Sequence, residues 1–168
     1  YADNFSGWDE AAAAAREELA TLPPGTRLVA DNFMLGAQLA FLLGGERVEV
    51  LDHPLNRKHG RAVQLDQWGL VTRGRADWGD AHVLLVVEDT ARPMKHRLDA
   101  YRQLCATAGG LPPARVLNVD RGRKRFLLFR LGPQPIACTL PSLAWIEVPE
   151  PGDRASGTLA LRGWALRE

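Results

Sequence analysis

An apolar run at Leu28-Val-Ala30 is followed by a polar pair, Asp31-Asn32, then by apolar residues at helical spacing from Phe33 to Leu43, then by a second run within Arg47 to Leu51. Short apolar runs bounded by turn residues read as buried strands, whereas apolar positions recurring every three to four residues read as one face of a helix. That face is Phe33, Leu35 or Met34, Ala37, Leu39, Ala40 and Leu43. Asp31-Asn32 offers capping oxygens to the helix, and Gly44-Gly45 ends it, because glycine accepts the left-handed cap conformation. The segment predicts strand, helix and strand in immediate succession. His82-Val-Leu-Leu-Val-Val-Glu88 is a longer Leu and Val run, of the kind buried on both faces of a parallel sheet.

The remaining pattern fills in around these elements. Ser6, three residues before Asp9, gives a capping-box-like opening to an Ala-rich helix from Asp9 to Ala20, which Pro23-Pro24-Gly25 stops. Asp89 or Thr90 opens a helix from Pro93 to about Ala108, closed by Gly109-Gly110 and Pro112-Pro113. Arg115 to Val119 and Lys124 to Leu131 flank Asp120-Arg-Gly-Arg123 as a hairpin. Residues 52–80 show no period and contain Pro54, Gly60, Gly69, Gly74 and Gly79, so they read as a long functional loop with room for one helical turn. The fold class is α/β: a mostly parallel sheet flanked by helices, with an antiparallel edge hairpin and a short Pro-rich β tail. Residues 1–132 form the α/β domain. Residues 133–168 are a Pro-rich linker and β segment, with strands at Leu143 to Val148 and Thr158 to Leu161, and read as the start of a truncated β-module.

Composition narrows the function classes. Net charge is +1 from 21 basic and 20 acidic residues, which argues against a whole-surface polyanion binder and leaves only local clusters; aromatic residues are not interleaved with the charges at Arg121 to Arg125, so no nucleic-acid partner is expected. No run approaches the ~18 apolar residues of a membrane span, and Tyr1-Ala-Asp-Asn-Phe5 lacks the pattern of a secretory leader. The missing initiator Met reads as a sign of an excised fragment, although processing or tag removal would leave the same start. Cys105 and Cys138 are too few for a disulfide framework or a zinc site and read as ordinary buried or half-buried thiols.

Functional chemistry concentrates after the second strand of the pattern, where α/β sheets place their ligand crevices. His53, Arg57, Lys58, His59 and Arg61 would hold a phosphate or a phospholipid headgroup by charge-assisted hydrogen bonds. Gln64, Gln67 and Trp68 would suit a sugar, with amides beside an aromatic platform. The same residues also read as a solvated loop whose Trp68 packs on the sheet, or as a surface that orients the domain on a membrane. Asp31 is a cap or a catalytic acid, and Asp52-His53 is a potential acid-base pair across the same crevice. Glu88-Asp89 reads as helix-terminus electrostatics rather than a cation site, since no third ligand accompanies it. Arg121, Arg123, Lys124 and Arg125 read as charge that blocks edge-to-edge pairing. No nucleophile elbow, Walker loop, dinucleotide fingerprint or zinc spacing is present, so no catalytic residue, metal or cofactor is assigned.

A resemblance accompanies these features. Gly7-Trp8 before the Ala-rich helix, Ala30-Asp31-Asn32-Phe33 followed by Leu39-Ala40-Phe41, and the basic loop ending in Gln64-Leu-Asp-Gln-Trp68 resemble the soluble C-terminal region of bacterial family 39 glycosyltransferases. These are polytopic, polyprenyl-phosphate-sugar-dependent relatives of dolichyl-phosphate-mannose protein mannosyltransferases and of aminoarabinose lipid A transferases. Gly163-Trp164-Ala165 is similar to a short β-module that follows this region in some members. The resemblance covers about residues 6–131 and implies a periplasmic domain beside a membrane-embedded active site, with the membrane part of the same protein, a lipid phosphate or a glycan acceptor as partner. The family's catalytic acids lie in its membrane part, and nothing here matches them. The alternative is a free-standing small α/β enzyme acting on a phosphorylated small molecule through Asp31, Asp52 and His53.

Overall fold

The structure, a computed structural model, describes residues 6–149, 153–154 and 156–166; the Arg121 side chain and the leader reading of Tyr1 to Phe5 lie outside it. Strands β1 (Arg27–Ala30), β2 (Val48–Leu51), β3 (Val71–Thr72) and β4 (Val83–Glu88) run parallel, and β5 (Arg115–Val119) and β6 (Lys124–Leu131) add an antiparallel hairpin. The six-stranded order is β3-β2-β1-β4-β6-β5, with β6 antiparallel to β4. This is the α/β architecture that the apolar runs predict. Alternation along each strand divides the core between the two faces.

On one face, α1 (Trp8–Thr21) and α2 (Phe33–Leu42) cover Leu28, Ala30, Val48, Leu84, Val86, Phe126 and Leu128. Ala11, Ala12, Ala14 and Ala15 are all buried, so the alanine run serves close approach to the sheet as well as helix propensity. On the other face, α6 (Arg97–Ala108) and Trp78 cover Val29, Leu51, Val83, Leu85, Val87, Leu127 and Phe129.

Several sequence expectations are corrected. The N-cap of α1 is Gly7 at φ 81°, one residue after the expected Ser6. A Cβ on Gly7 would sit 3.3 Å from Lys124, Phe126 and Val119, so close approach to the sheet selects this residue. Residues 52–80 are not one loop but α3 (Pro54–Lys58), α4 (Ala62–Gln67), β3 and α5 (Arg75–Trp78). Each is too short to display a period. The third long helix starts at Arg97 rather than Pro93, after two 3₁₀ turns. Arg92 is extended (φ −108°, ψ 134°), as steric conflict with the following Pro93 ring favours.

The cysteines are not free thiols. Cys105 in α6 and Cys138 form a disulfide with Cα atoms 6.1 Å apart. Beside it, Leu111 and Cys138 form a parallel bridge, and the Ile136 N–H donates to the Gly109 carbonyl at 3.2 Å. Residues after β6 thus lie along the α6–β5 connection, and Leu143 is buried in the second core cluster. Beyond it, β7 (Leu143–Val148) pairs antiparallel with β8 (Arg162–Leu166), four residues later than the expected Thr158 start. Trp145 opposes Trp164 across this ladder, and Gly163 passes so close to the Trp145 carbonyl that a Cβ would collide with it. Aromatic pairing and a backbone approach set the register, which composition at 158–161 does not reveal.

Nor do Lys124 and Arg125 of the basic cluster guard an edge, Arg125 being held by Asp89. Strand β6 lies inside the sheet, and Lys124 is only 5% exposed. Its Nζ donates to the Ser6 carbonyl at 3.0 Å, lies 3.5 Å from Glu88 and sits 3.5 Å from the centre of the Trp8 ring.

Candidate functional site

The chain leaves β1 into α2 on one face and leaves β4 toward α6 on the other, so the carboxyl ends of these neighbouring strands form a topological switch point. A crevice of about 540 Å³ opens there, walled by the ends of β1, β2 and β3, by Arg92 and by α6. Asn32 resolves half of the Asp31-Asn32 question: its side chain accepts from the Met34 N–H at 3.0 Å and the Leu35 N–H at 3.2 Å, capping α2. Asp31 is 1% exposed and plays another part. Its Oδ1 accepts from Asn32 Nδ2 at 2.8 Å, and its Oδ2 accepts from Arg92 Nη1 at 2.9 Å. Burial pushes this carboxyl above the ordinary carboxylate range, against the lowering pull of Arg92.

The same guanidinium meets His53. Arg92 Nη2 lies 2.6 Å from His53 Nε2, while His53 Nδ1 caps α3 by accepting from the Leu55 N–H at 3.1 Å. Burial first, then the charges of Arg92 and Arg57, push the imidazole down to about 4, with Asp52 opposing. His53 is therefore neutral at physiological pH. Asp52 does not pair with it as acid and base; the exposed Asp52 carboxylate binds Arg57 instead.

The nine candidate residues do not gather at one place. Asp52 and His53 line the crevice, whereas Arg61, Gln64 and Trp68 line a second groove of about 600 Å³ on the α2 side of the sheet. Arg57, Lys58 and His59 line neither and are exposed, Arg57 bound to Asp52 and His59 with its ring 5.5 Å from that of Phe33, and Gln67 is exposed on α4. Trp68 is 59% exposed and does not pack down on the sheet. Leu51 and Val50 explain the division, since adjacent strand residues face opposite sides. The groove floor is apolar, made by Phe33, Ala37, Ala40, Val48, Val50 and Leu65, with Arg47 and Arg61 at its rim.

Two organising residues carry no motif. Arg92 stands beside Pro93 in a stretch that reads as a helix start; its signal is position, because it follows the strand that neighbours β1. Asn56 is buried, donates to the Leu51 carbonyl at 2.9 Å and accepts from the Phe33 N–H at 3.0 Å, tying α3 to both walls.

Glu88 and Asp89 are held by cations of the protein itself. Asp89 accepts from Tyr101 and Arg125, with Arg97 at 3.3 Å. Glu88 faces Lys124, and burial pushes its carboxyl upward. Among the described residues, no group of three or more His, Cys, Asp or Glu side chains is placed to hold a metal ion. No helix among them is long and apolar enough to cross a membrane. No protein-family model, curated protein or solved structure matches the chain. Chemically, the crevice presents the Arg92 guanidinium, held between His53 Nε2 and its most buried acid, Asp31.

Proposed function

We propose that this chain is a non-catalytic domain of a bacterial, polyprenyl-phosphate-sugar-dependent membrane glycosyltransferase of the family 39 type. In this reading it lies on the periplasmic face of the inner membrane, against the membrane-embedded part of the same protein, and caps that active site or aids recognition of a lipid or glycan acceptor. The observation that carries the proposal is the groove between α2 and α4. Trp68 in its wall is 59% exposed, Phe41 and Val63 on the helices that wall it are 81% and 69% exposed, Arg47 and Arg61 line it, and Arg57 and Lys58 are exposed on α3. Large exposed apolar groups beside basic side chains suit a membrane interface, where each Lys or Arg near an anionic surface contributes about 1 kcal/mol. The Cys105–Cys138 disulfide supports the compartment, since such bonds persist in oxidising environments such as the periplasm.

Co-sedimentation with phosphatidylglycerol-containing vesicles tests the membrane contact. Changing Arg57, Lys58 and Arg61 together to Ala should weaken binding roughly a hundredfold at low salt, by the same per-charge figure. Equal binding by the two proteins would sink the proposal. So would a natural reading frame that opens close to Tyr1 with no hydrophobic spans upstream.

A further inference from the structure

We propose, resting on the lipid-facing reading of the groove between α2 and α4, that this groove binds a single-chain anionic amphiphile of the fatty-acid type. Its hydrocarbon chain would lie along the floor and its acidic head at Arg61 and Gln64. Local contacts give the groove two unlike ends. At one, the Phe33 ring lies 5.5 Å from that of His59, two residues before Arg61. At the other, Arg47 donates to the carbonyl of Gly69, which follows Trp68, and Glu46 stands beside Arg47 in the lining. Arg61 and Gln64 both line the groove and stand three residues apart at the start of α4, so they share one face of that helix. Neither side chain makes a hydrogen bond or an ion pair with another described residue.

Charge orients the ligand between these ends. Arg47 is already occupied, and the Glu46 carboxylate repels an anion, so the head goes to Arg61 and the tail toward Trp68. Between them the floor is apolar. Helix α2 contributes Gly36, Ala37 and Ala40, whose small side chains leave depth, and β2 contributes Val48 and Val50. Such a floor offers no hydrogen-bond partner to an extended peptide backbone, whereas a hydrocarbon chain needs none. At about 600 Å³ the groove has the size of a site for one small ligand, commonly about 300–1,000 Å³, and its few polar groups gather at one end as in such sites.

Dodecanoate below its micelle-forming concentration is the probe, titrated into isotope-labelled protein without vesicles while methyl and indole resonances are followed. Saturable shifts at Ala37, Ala40, Val48 and Trp68 are expected. Decanoate, two methylenes shorter, should bind about tenfold more weakly. Dodecyltrimethylammonium carries the same chain on a cationic head and should lose about tenfold or more. Arg61→Ala should weaken dodecanoate binding by a similar factor of about ten without weakening that of the cationic amphiphile. Ala37→Phe, at an exposed position of α2, fills the groove and should abolish the shifts; should it fail to fold, the chain-length and head comparisons on the native protein remain decisive. If dodecanoate does not bind to protein that still sediments with phosphatidylglycerol vesicles, the amphiphile site is overturned and the membrane contact stands; if neither binds, both fall. Equal affinity for the anionic and cationic amphiphiles overturns the site as well, as do shifts confined to Trp145 and Trp164 or a dimer in which a second copy covers the groove.

Discussion

Arg92 reaches from the turn after β4 to within 2.9 Å of the Asp31 carboxylate at the end of β1, and this buried ion pair bridges the switch point of the sheet. The acid has almost no contact with solvent and the base is 21% exposed, so removing the cation strands a desolvated charge. Arg92→Ala should therefore cost about 3–5 kcal/mol in urea unfolding. Replacing both partners by apolar residues, Asp31→Leu with Arg92→Met, should recover most of that loss. A single variant as stable as the native protein would refute the assignment.

The disulfide closes a loop with a sequence separation of 33. Loop-closure entropy then predicts that Cys105→Ser with Cys138→Ser lowers stability by about 3–4 kcal/mol. Titration of the unreduced protein with a thiol reagent should find no reactive cysteine, and reduction should reproduce the loss of the double variant.

The neutral His53 has a signature in pH. In the unfolded chain the imidazole takes a proton near 6.5, but in the folded protein only near 4. Between these values the unfolded state binds more protons, so stability rises with pH across the window and falls as pH drops through it. His53→Asn lacks this dependence. Chemical denaturation of both proteins at several pH values should show the native protein losing stability relative to the variant from about 6.5 down to about 4, and no further difference developing below that.

Gly110 combines a φ of +120° with a position where a Cβ would lie 1.9 Å from the Ile136 carbonyl oxygen, which only movement of that segment can relieve. Gly110→Ala should cost more than the roughly 1–3 kcal/mol expected for backbone strain alone and should weaken hydrogen-exchange protection of the Thr139 amide, which donates to the Leu111 carbonyl at 2.7 Å. Gly44→Ala, also left-handed but with open space around its Cβ, isolates the backbone part and should be milder.

The candidate site was only partly legible. Asp52 and His53 could be placed at a crevice because they follow an apolar run that had to be a parallel strand. Arg92 could not, since an Arg before Pro carries no message until the order β2-β1-β4 brings its turn beside Asp31. The sequence leaves Trp68 open between an aromatic platform and packing on the sheet, and only the fold turns it outward to wall a groove, because helices of four to six residues leave no period to reveal their inward face.

Local pattern alone determined the α/β class, the bounds of most strands and both long helices of the first layer, because hydrophobic periodicity and glycine or proline stops act over a few residues and survive without knowledge of the rest. Tertiary structure decided the partners. Lys124 became a buried cation between Trp8 and Glu88 rather than an edge charge, Cys105 found Cys138, and the basic segment after β2 was divided between two sides of the sheet. Each of these depends on strand order and on which face a residue meets, quantities set by chain segments distant in sequence.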